Sequence, residues 1–231
     1  MSEVKEEYTR ENYPSFGKKY NDEKAIISLT SWKARINTVS KTLFSLIQQC
    51  PGFHIVLVLS EEEFPKMCEE LPENLMLFVE NEMIELLWVY KNYKSFKKVL
   101  FTMDKYRDVP VISADDDCIY TCNYAQELYD KWKDNKDSII LYRNTGNKHL
   151  QGTNTLYPSN CFPMHKTLLK KLFNFQKKSN SDDTFFSNIA NHIHINFIHL
   201  HNNHLPFYFH DEINPIHPEY KKQSYFKNCY L

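Results

Sequence analysis

Three adjacent aspartates, Asp115, Asp116 and Asp117, close the apolar run VPVIS, and no basic residue lies between Val111 and Tyr120 to balance them. Two carboxylates a few Å apart repel by about 1 kcal/mol in water, and by about 4 kcal/mol at the effective dielectric of a protein surface. Aspartate is also a poor strand former. Such a cluster calls for a compensating cation, full solvation or raised pKa values. A hard divalent cation, Mg2+ or Mn2+, suits it: these ions take oxygen ligands, often only one or two from protein, and leave the rest to water and phosphate oxygens. The plain alternative is a solvated acidic turn that caps the next helix. The position of the acids, directly after an apolar strand and before Cys118-Ile119, favours the cation.

A second acidic pair, Asp182-Asp183, lies in SNSDDTFF. Ser181 can cap a helix there, with both acids in its first turn where the helix dipole favours them. That structural role is complete without catalysis. Seven of the ten histidines fall between His192 and His217. Alternation at 192/194 and 199/201 would put each pair on one strand face, within reach of zinc, but no cysteine or HExxH partner accompanies them.

Other chemistries are excluded by composition. Gly17, Gly52, Gly146 and Gly152 are the only glycines, so neither GxGxxG nor a P-loop can be built. A bound phosphate must be held by a metal, by basic side chains or by a helix N-terminus. Lys plus Arg number 28 against 29 Asp plus Glu, a balance that gives no general attraction to nucleic acid or anionic lipid. The six cysteines form no CxxC pair and read as free thiols of a reducing compartment. The start, MSEVKEEYTR, has no apolar segment of the signal-peptide kind, and no apolar run is long enough to span a bilayer. The expected location is cytoplasmic.

The elements that position the acids are strands alternating with helices. Residues 1–22 are charged and aperiodic and are expected to form a loose arm, leaving 23–231 as one domain. AIISLT (25–30), FHIVLVL (53–59), LMLFV (75–79), IELLWV (84–89), VPVIS (109–113) and SIILY (138–142) are expected strands. Helices are expected over Val39–Ile47, after a Ser60/Glu63 capping box, after Ser95 with Phe96, Val99, Leu100 and Met103 on one face, after Asn123, and over Met164–Leu172, with a loop at 143–160. This order predicts an α/β domain with a largely parallel sheet covered on both faces. In such sheets ligands gather at the carboxyl ends of the strands, where the three aspartates stand.

SLTSWKAR (28–35), NYKSFKKVL (92–100) and ADDDCIY (114–120), in that order, resemble a GT-A glycosyltransferase. More narrowly, they are similar to small bacterial enzymes that elaborate surface polysaccharides. The resemblance runs over about residues 25 to 190. It implies a single GT-A-like, Rossmann-like domain that takes a nucleotide-sugar donor, a UDP-sugar first, with Mn2+ or Mg2+ as cofactor. The acceptor it implies is a glycan or lipid-linked glycan. By the same resemblance Asp115 and Asp117 are the metal pair, Asp117 being the direct ligand, and Asp116 contacts ribose or donor sugar. Thr30, Ser31 and Arg35 lie over the nucleotide, where a guanidinium can pair with phosphate, and Lys98 reaches the diphosphate. Asp182, ahead of Asp183, is the general base toward the acceptor hydroxyl. His210, beside Asp211, completes the metal shell. QGTNTLYPSNCF (151–162) stands where relatives carry more glycine, a departure from the pattern of the acceptor loop. The aromatic and lysine-rich tail has two readings, a peripheral contact with the inner face of a membrane, for which no amphipathic helix is evident, or a tail packed onto the domain.

Two rival classes share the same acids. A haloacid-dehalogenase-like phosphatase would use Asp115 and Asp117, the later pair Asp182-Asp183, and a lysine from Lys166, Lys170 or Lys171. That motif, however, normally follows the first core strand, and Ile119 stands where threonine or valine is usual. A non-catalytic sugar- or metal-binding domain would need the three aspartates but neither Arg35 nor Asp182-Asp183.

Overall fold

The computed structural model describes residues 13–142, 154–162, 174–175, 181–200 and 207–208. Its strands are β1 (Ser15–Gly17), β2 (Ala25–Thr30), β3 (Phe53–Ser60), β4 (Glu85–Val89), β5 (Val111–Ser113), β6 (Cys118–Ile119), β7 (Ile139–Tyr142), β8 (Thr155–Tyr157), β9 (Phe197–Leu200) and β10 (Phe207–Tyr208). Its helices are α1 (Val39–Ile47), α2 (Glu73–Glu80), α3 (Lys97–Lys105), α4 (Tyr124–Lys133) and α5 (Asp182–His192). Among the described residues, eight strands make one sheet in the order β1-β4-β3-β2-β5-β8-β7-β9. β4, β3, β2 and β5 are mutually parallel, β7 runs parallel to β9, and β1 and β8 run against their neighbours. The protein is α/β with a mixed, mostly parallel sheet.

β2, β3 and β4 are apolar almost throughout because both faces of the sheet are covered, as parallel strands require. Alternate residues of β2 supply the two cores. Ala25, Ile27 and Leu29 pack with Val39, Leu43 and Leu46 of α1, Leu75 and Val79 of α2, and Tyr124 and Leu128 of α4. Ile26 faces the other way, with Phe96, Val99, Leu100 and Met103 from the start and body of α3, and Phe185 and Phe186 of α5. Each such side chain contributes about 1.5–3 kcal/mol on burial. Ser28 is a polar exception on the second face. Its hydroxyl meets the Lys98 carbonyl at 2.5 Å and the Thr102 hydroxyl at 2.7 Å, which fixes the height of α3 against β2.

Several expectations are corrected. LMLFV is not a strand but the body of α2. A strand would put Leu75, Leu77 and Val79 on one face; the helix buries Leu75 and Val79 and leaves Leu77 52% exposed. No α-helix follows Ser60. Its hydroxyl does donate to Glu63 Oε2 at 3.1 Å, but within a turn, and a 3-10 turn at Met67–Glu70 follows. Ser95 does not cap α3, which starts at Lys97 out of a 3-10 turn at Lys94–Phe96. The stretch read as an arm contains β1, an edge strand antiparallel to β4, and residues 1–12 lie outside the described residues. The expected loop at 143–160 contains β8, which slots between β5 and β7. The expected helix over Met164–Leu172 lies outside the described residues. None of the described helices is long and apolar enough to cross a membrane.

Candidate active site

The acids stand at the carboxyl end of β5, beside the carboxyl end of β2, because Ser28 and Ser113 are paired in register across those parallel strands. Asp116 turns inward. Its Oδ2 accepts the Ser31 hydroxyl at 2.7 Å and its Oδ1 accepts Arg35 Nη1 at 2.7 Å. The same Arg35 nitrogen lies 3.0 Å from Asp117 Oδ2. Asp116 and Arg35 are both buried, so the loop after β2 and the loop after β5 are locked together by one charged knot. Burial pushes the Asp116 carboxyl up, against the opposing pull of Arg35 and Ser31.

Asp115 and Asp117 stay partly open, with side chains 31% and 23% exposed against 8% for Asp116. Lys98, at the start of α3 and itself 2% exposed, places its ammonium 2.6 Å from Asp115 Oδ1 and 3.3 Å from Asp182 Oδ2. The two acidic motifs, distant in sequence, thus share one cation. Burial works against that ammonium, yet Asp115 and Asp182 hold Lys98 well above its ordinary range. Asp182 and Asp183 open α5 as expected, with the Ser181 hydroxyl accepting the Thr184 amide at 3.2 Å. Asp182 Oδ2 and Asp183 Oδ1 are both buried with no hydrogen-bond partner among the described residues. Burial, and then the neighbouring Asp182 charge, push the Asp183 carboxyl up to about 8.

Among the described residues, Asp115, Asp116, Asp117, Asp182 and Asp183 gather around Arg35 and Lys98, with the buried Lys97 also acting on Asp116. Burial, and then Asp115, push Asp117 up to about 6 even with Arg35 beside it. Carboxylates crowded in this way favour a cation. Ligand atoms of Asp115, Asp117 and Cys118 lie within 4.8 Å of one another, close enough for the two carboxylates to meet one divalent cation. Oxygen donors on an acidic rim fit Mn2+ or Mg2+. The buried Cys118 thiol is pushed well up by burial and remains a neutral neighbour.

The remaining expected residues fall as follows. Thr30 is at the end of β2, but its hydroxyl donates to the Val58 carbonyl at 2.7 Å. The Ser31 hydroxyl and the Arg35 guanidinium are turned toward the aspartates, and Lys98 is committed to two carboxylates. His210 lies outside the described residues. Of the clustered histidines, His192 ends α5, His194 sits in the following turn and His199 is in β9, so 192/194 do not share a strand face.

Sequence reasoning missed the partners that hold the acid loop from α1. Thr42 Oγ1 donates to the Asp116 carbonyl at 3.0 Å, and Ser45 Oγ accepts the Tyr120 amide at 3.1 Å. Gln49 Nε2 donates to the Thr121 carbonyl at 2.7 Å. The signal was there: Thr42, Ser45 and Gln49 recur at helical spacing beside the apolar stripe of α1. Tyr157 was also missed. Among the described residues its buried hydroxyl has no hydrogen-bond partner, and it lies on the side of Asp182, Asp183 and Lys98.

No family model matches the sequence, and no curated protein matches it. The fold does match solved structures. TarS from S. aureus, in complex with UDP, superposes with a TM-score of 0.55 at 12% identity, over 79% of this chain and 59% of that one. The mannosyltransferase PcManGT from Pyrobaculum calidifontis, in complex with GDP-Man and Mn2+, superposes at 0.50 with 10% identity, over 81% of this chain and 57% of that one. The fold is of the GT-A type. This chain spans less than two thirds of either neighbour's length. The GT-A frame also bears on the phosphatase alternative. β2, β3 and β4 precede the acid motif, and the lysine that meets Asp115 is Lys98, upstream of it.

Proposed function

We propose that this chain is a metal-dependent glycosyltransferase of the hexosyltransferase type. It would transfer a sugar from a nucleotide-sugar donor, a UDP-sugar first, to a glycan or lipid-linked glycan acceptor, from the cytoplasmic side with the tail at a membrane face. The observation that carries this reading is the shared ammonium of Lys98, which sets the partly open pair Asp115 and Asp117 beside the second acidic pair, Asp182 and Asp183, on a GT-A fold, with Asp183 pushed up to about 8. Asp115 and Asp117 would hold Mn2+ or Mg2+, which when bound supplies charge stabilisation to the departing nucleoside diphosphate.

Asp183 is the better base of its pair, reversing the order expected from sequence. The Asp182 carboxylate lies 3.3 Å from the Lys98 ammonium, whereas burial and then the Asp182 charge push the Asp183 carboxyl up to about 8; each keeps a buried oxygen with no hydrogen-bond partner among the described residues. A base near the working pH is the most effective acceptor of a hydroxyl proton. A smaller part of the upward push on Asp183 comes from Asp115, which a cation held by Asp115 and Asp117 would relieve. Arg35 and Ser31 act through Asp116, holding the metal pair in place.

The test is thermal stabilisation by UDP, GDP, CMP and ADP, each with and without Mn2+, followed by transfer assays with the matching donors. A ligand at about 100 times its dissociation constant adds about 2.7 kcal/mol, or about 5–10 °C at this chain length. We expect one nucleoside diphosphate to stabilise only with Mn2+, and Asp117→Ala to lose both the shift and transfer. No response to any nucleotide, or full transfer by Asp117→Ala, overturns the proposal.

A further inference from the structure

Away from the acidic centre, two thiols converge on one oxygen. Cys50 follows the end of α1, and Cys122 lies in the turn between β6 and α4. The Cys50 sulfur is 3.9 Å from the Cys122 carbonyl oxygen and 3.9 Å from Asn123 Oδ1. The Cys122 sulfur is 3.8 Å from that same Asn123 oxygen.

The backbones that carry these thiols are held together by other bonds. Gln49, the neighbour of Cys50, donates to the Thr121 carbonyl at 2.7 Å and accepts the Ala125 amide at 3.0 Å. It therefore brackets Cys122 on both sides. After Cys50 the chain reverses through Pro51 and Gly52, the glycine at φ +99°, so Cys50 is fixed on its other flank as well. Both sulfurs are reachable from solvent, Cys122 being exposed and Cys50 half-buried, whereas Cys118 and Cys161 are buried. A disulfide needs two Cα atoms within about 7 Å and Cβ vectors that converge.

We propose that Cys50 and Cys122 form an oxidisable dithiol that a hydroperoxide closes to a disulfide. The first thiol, as thiolate, attacks the peroxide oxygen; the O–O bond breaks, leaving a sulfenic acid and, with hydrogen peroxide, one water. The second thiol then attacks the sulfenic sulfur, forming the S–S bond. The S–O bond breaks, and the hydroxide leaves with the second thiol's proton as another water. Two thiols lose two electrons and one peroxide gains them. The product joins the end of α1 to the chain leaving the acid loop. That loop is already held by Thr42 at Asp116 and by Ser45 at Tyr120, so the new bond closes a clamp around residues 116–122. This inference does not depend on what the acidic centre does.

The experiment uses the full chain, reduced, desalted and treated with stoichiometric hydrogen peroxide, then digested without reductant. We expect a cross-linked peptide pair containing Cys50 and Cys122 and a mass lower by two hydrogens, with Cys68 still open to alkylation. In Cys50→Ser we expect no cross-link and a Cys122 sulfenic acid that dimedone traps. A second measurement needs no oxidant: phenylarsine oxide, which bridges adjacent thiols, should bind wild type at one equivalent and fail to bind Cys50→Ser. The proposal is overturned if Cys50 and Cys122 stay alkylatable after peroxide, if Cys122 pairs with another cysteine, or if the arsenical binds Cys50→Ser as well as wild type.

Discussion

Lys98→Met asks whether one ammonium is what lets the two acidic pairs lie side by side. Methionine keeps most of the stem's volume, so the packing of α3 changes little and the loss is mainly electrostatic. In the native arrangement the ammonium lies 2.6 Å from Asp115 and 3.3 Å from Asp182, with its own side chain 2% exposed. Removing one partner from a buried ion pair costs about 3–5 kcal/mol, because the other charge is left uncompensated. Asp115 keeps a 31% exposed side chain and can draw on water, which places the loss near the lower end, about 3 kcal/mol. For a chain of this length that is about 6–12 °C in melting temperature. The pH dependence has a definite sign. Lys98 pulls down the Asp183 carboxyl, which burial and Asp182 push up to about 8, so removing the ammonium raises it further above the unfolded value of about 3.9. A carboxyl raised on folding contributes stability that is present at low pH and lost as pH rises through the folded value. The gap between variant and wild type should therefore narrow from about pH 8 to about pH 5.5. Urea denaturation of both proteins at the two pH values measures it. A variant melting within about 2 °C of wild type, or a gap that widens on acidification, refutes the argument.

Three further outcomes are expected. Stabilisation by Mn2+ alone should be larger at about pH 7.5 than at about pH 5, since Asp117, pushed up to about 6, is protonated at the lower value; a pH-independent thermal shift refutes the assignment of Asp117. Asp183→Asn should abolish transfer yet melt higher than wild type at alkaline pH. The native carboxyl, raised to about 8 by burial and Asp182, carries an unpaired charge only above that value, and equal or lower stability of the variant there contradicts this reading. Gly17→Ala should cost about 1–3 kcal/mol in denaturant titrations: Gly17 is at φ +86° and an added Cβ would strike the Ile84 carbonyl oxygen, so a neutral substitution means that β1 does not pack as described.

The parallel heart of the sheet was legible because each strand is a short apolar run between turn signals. Ala25–Thr30, Phe53–Ser60 and Glu85–Val89 lie within a residue of the stretches read from sequence. LMLFV has the same apolar density, and there the method fails for a physical reason. An unbroken run satisfies period 2 and period 3.6 alike. What decides is that Leu77 faces solvent while Leu75 and Val79 do not, a fact of tertiary packing. β8 was illegible because three residues, TLY, carry too little pattern, and only the gap between β5 and β7 makes them a strand.

The candidate site divides in the same way. That three adjacent carboxylates need positive charge follows from Coulomb's law alone. How the three divide the work follows from which of them the fold turns inward. The acids run into a turn at Asp116 and Asp117; Asp116 is buried there against Ser31 and Arg35, which leaves Asp115 and Asp117 as the more open pair. The middle acid is thus an anchor between the loop after β2 and the loop after β5, each of its oxygens already accepting one hydrogen bond. Arg35 and Lys98, read from sequence as phosphate ligands, are the buried counter-charges that make the arrangement stable at all. Burial, and then Asp115, still push Asp117 up to about 6 with Arg35 beside it, and two partly open carboxylates crowded at one strand end are the physical basis for expecting a divalent cation there.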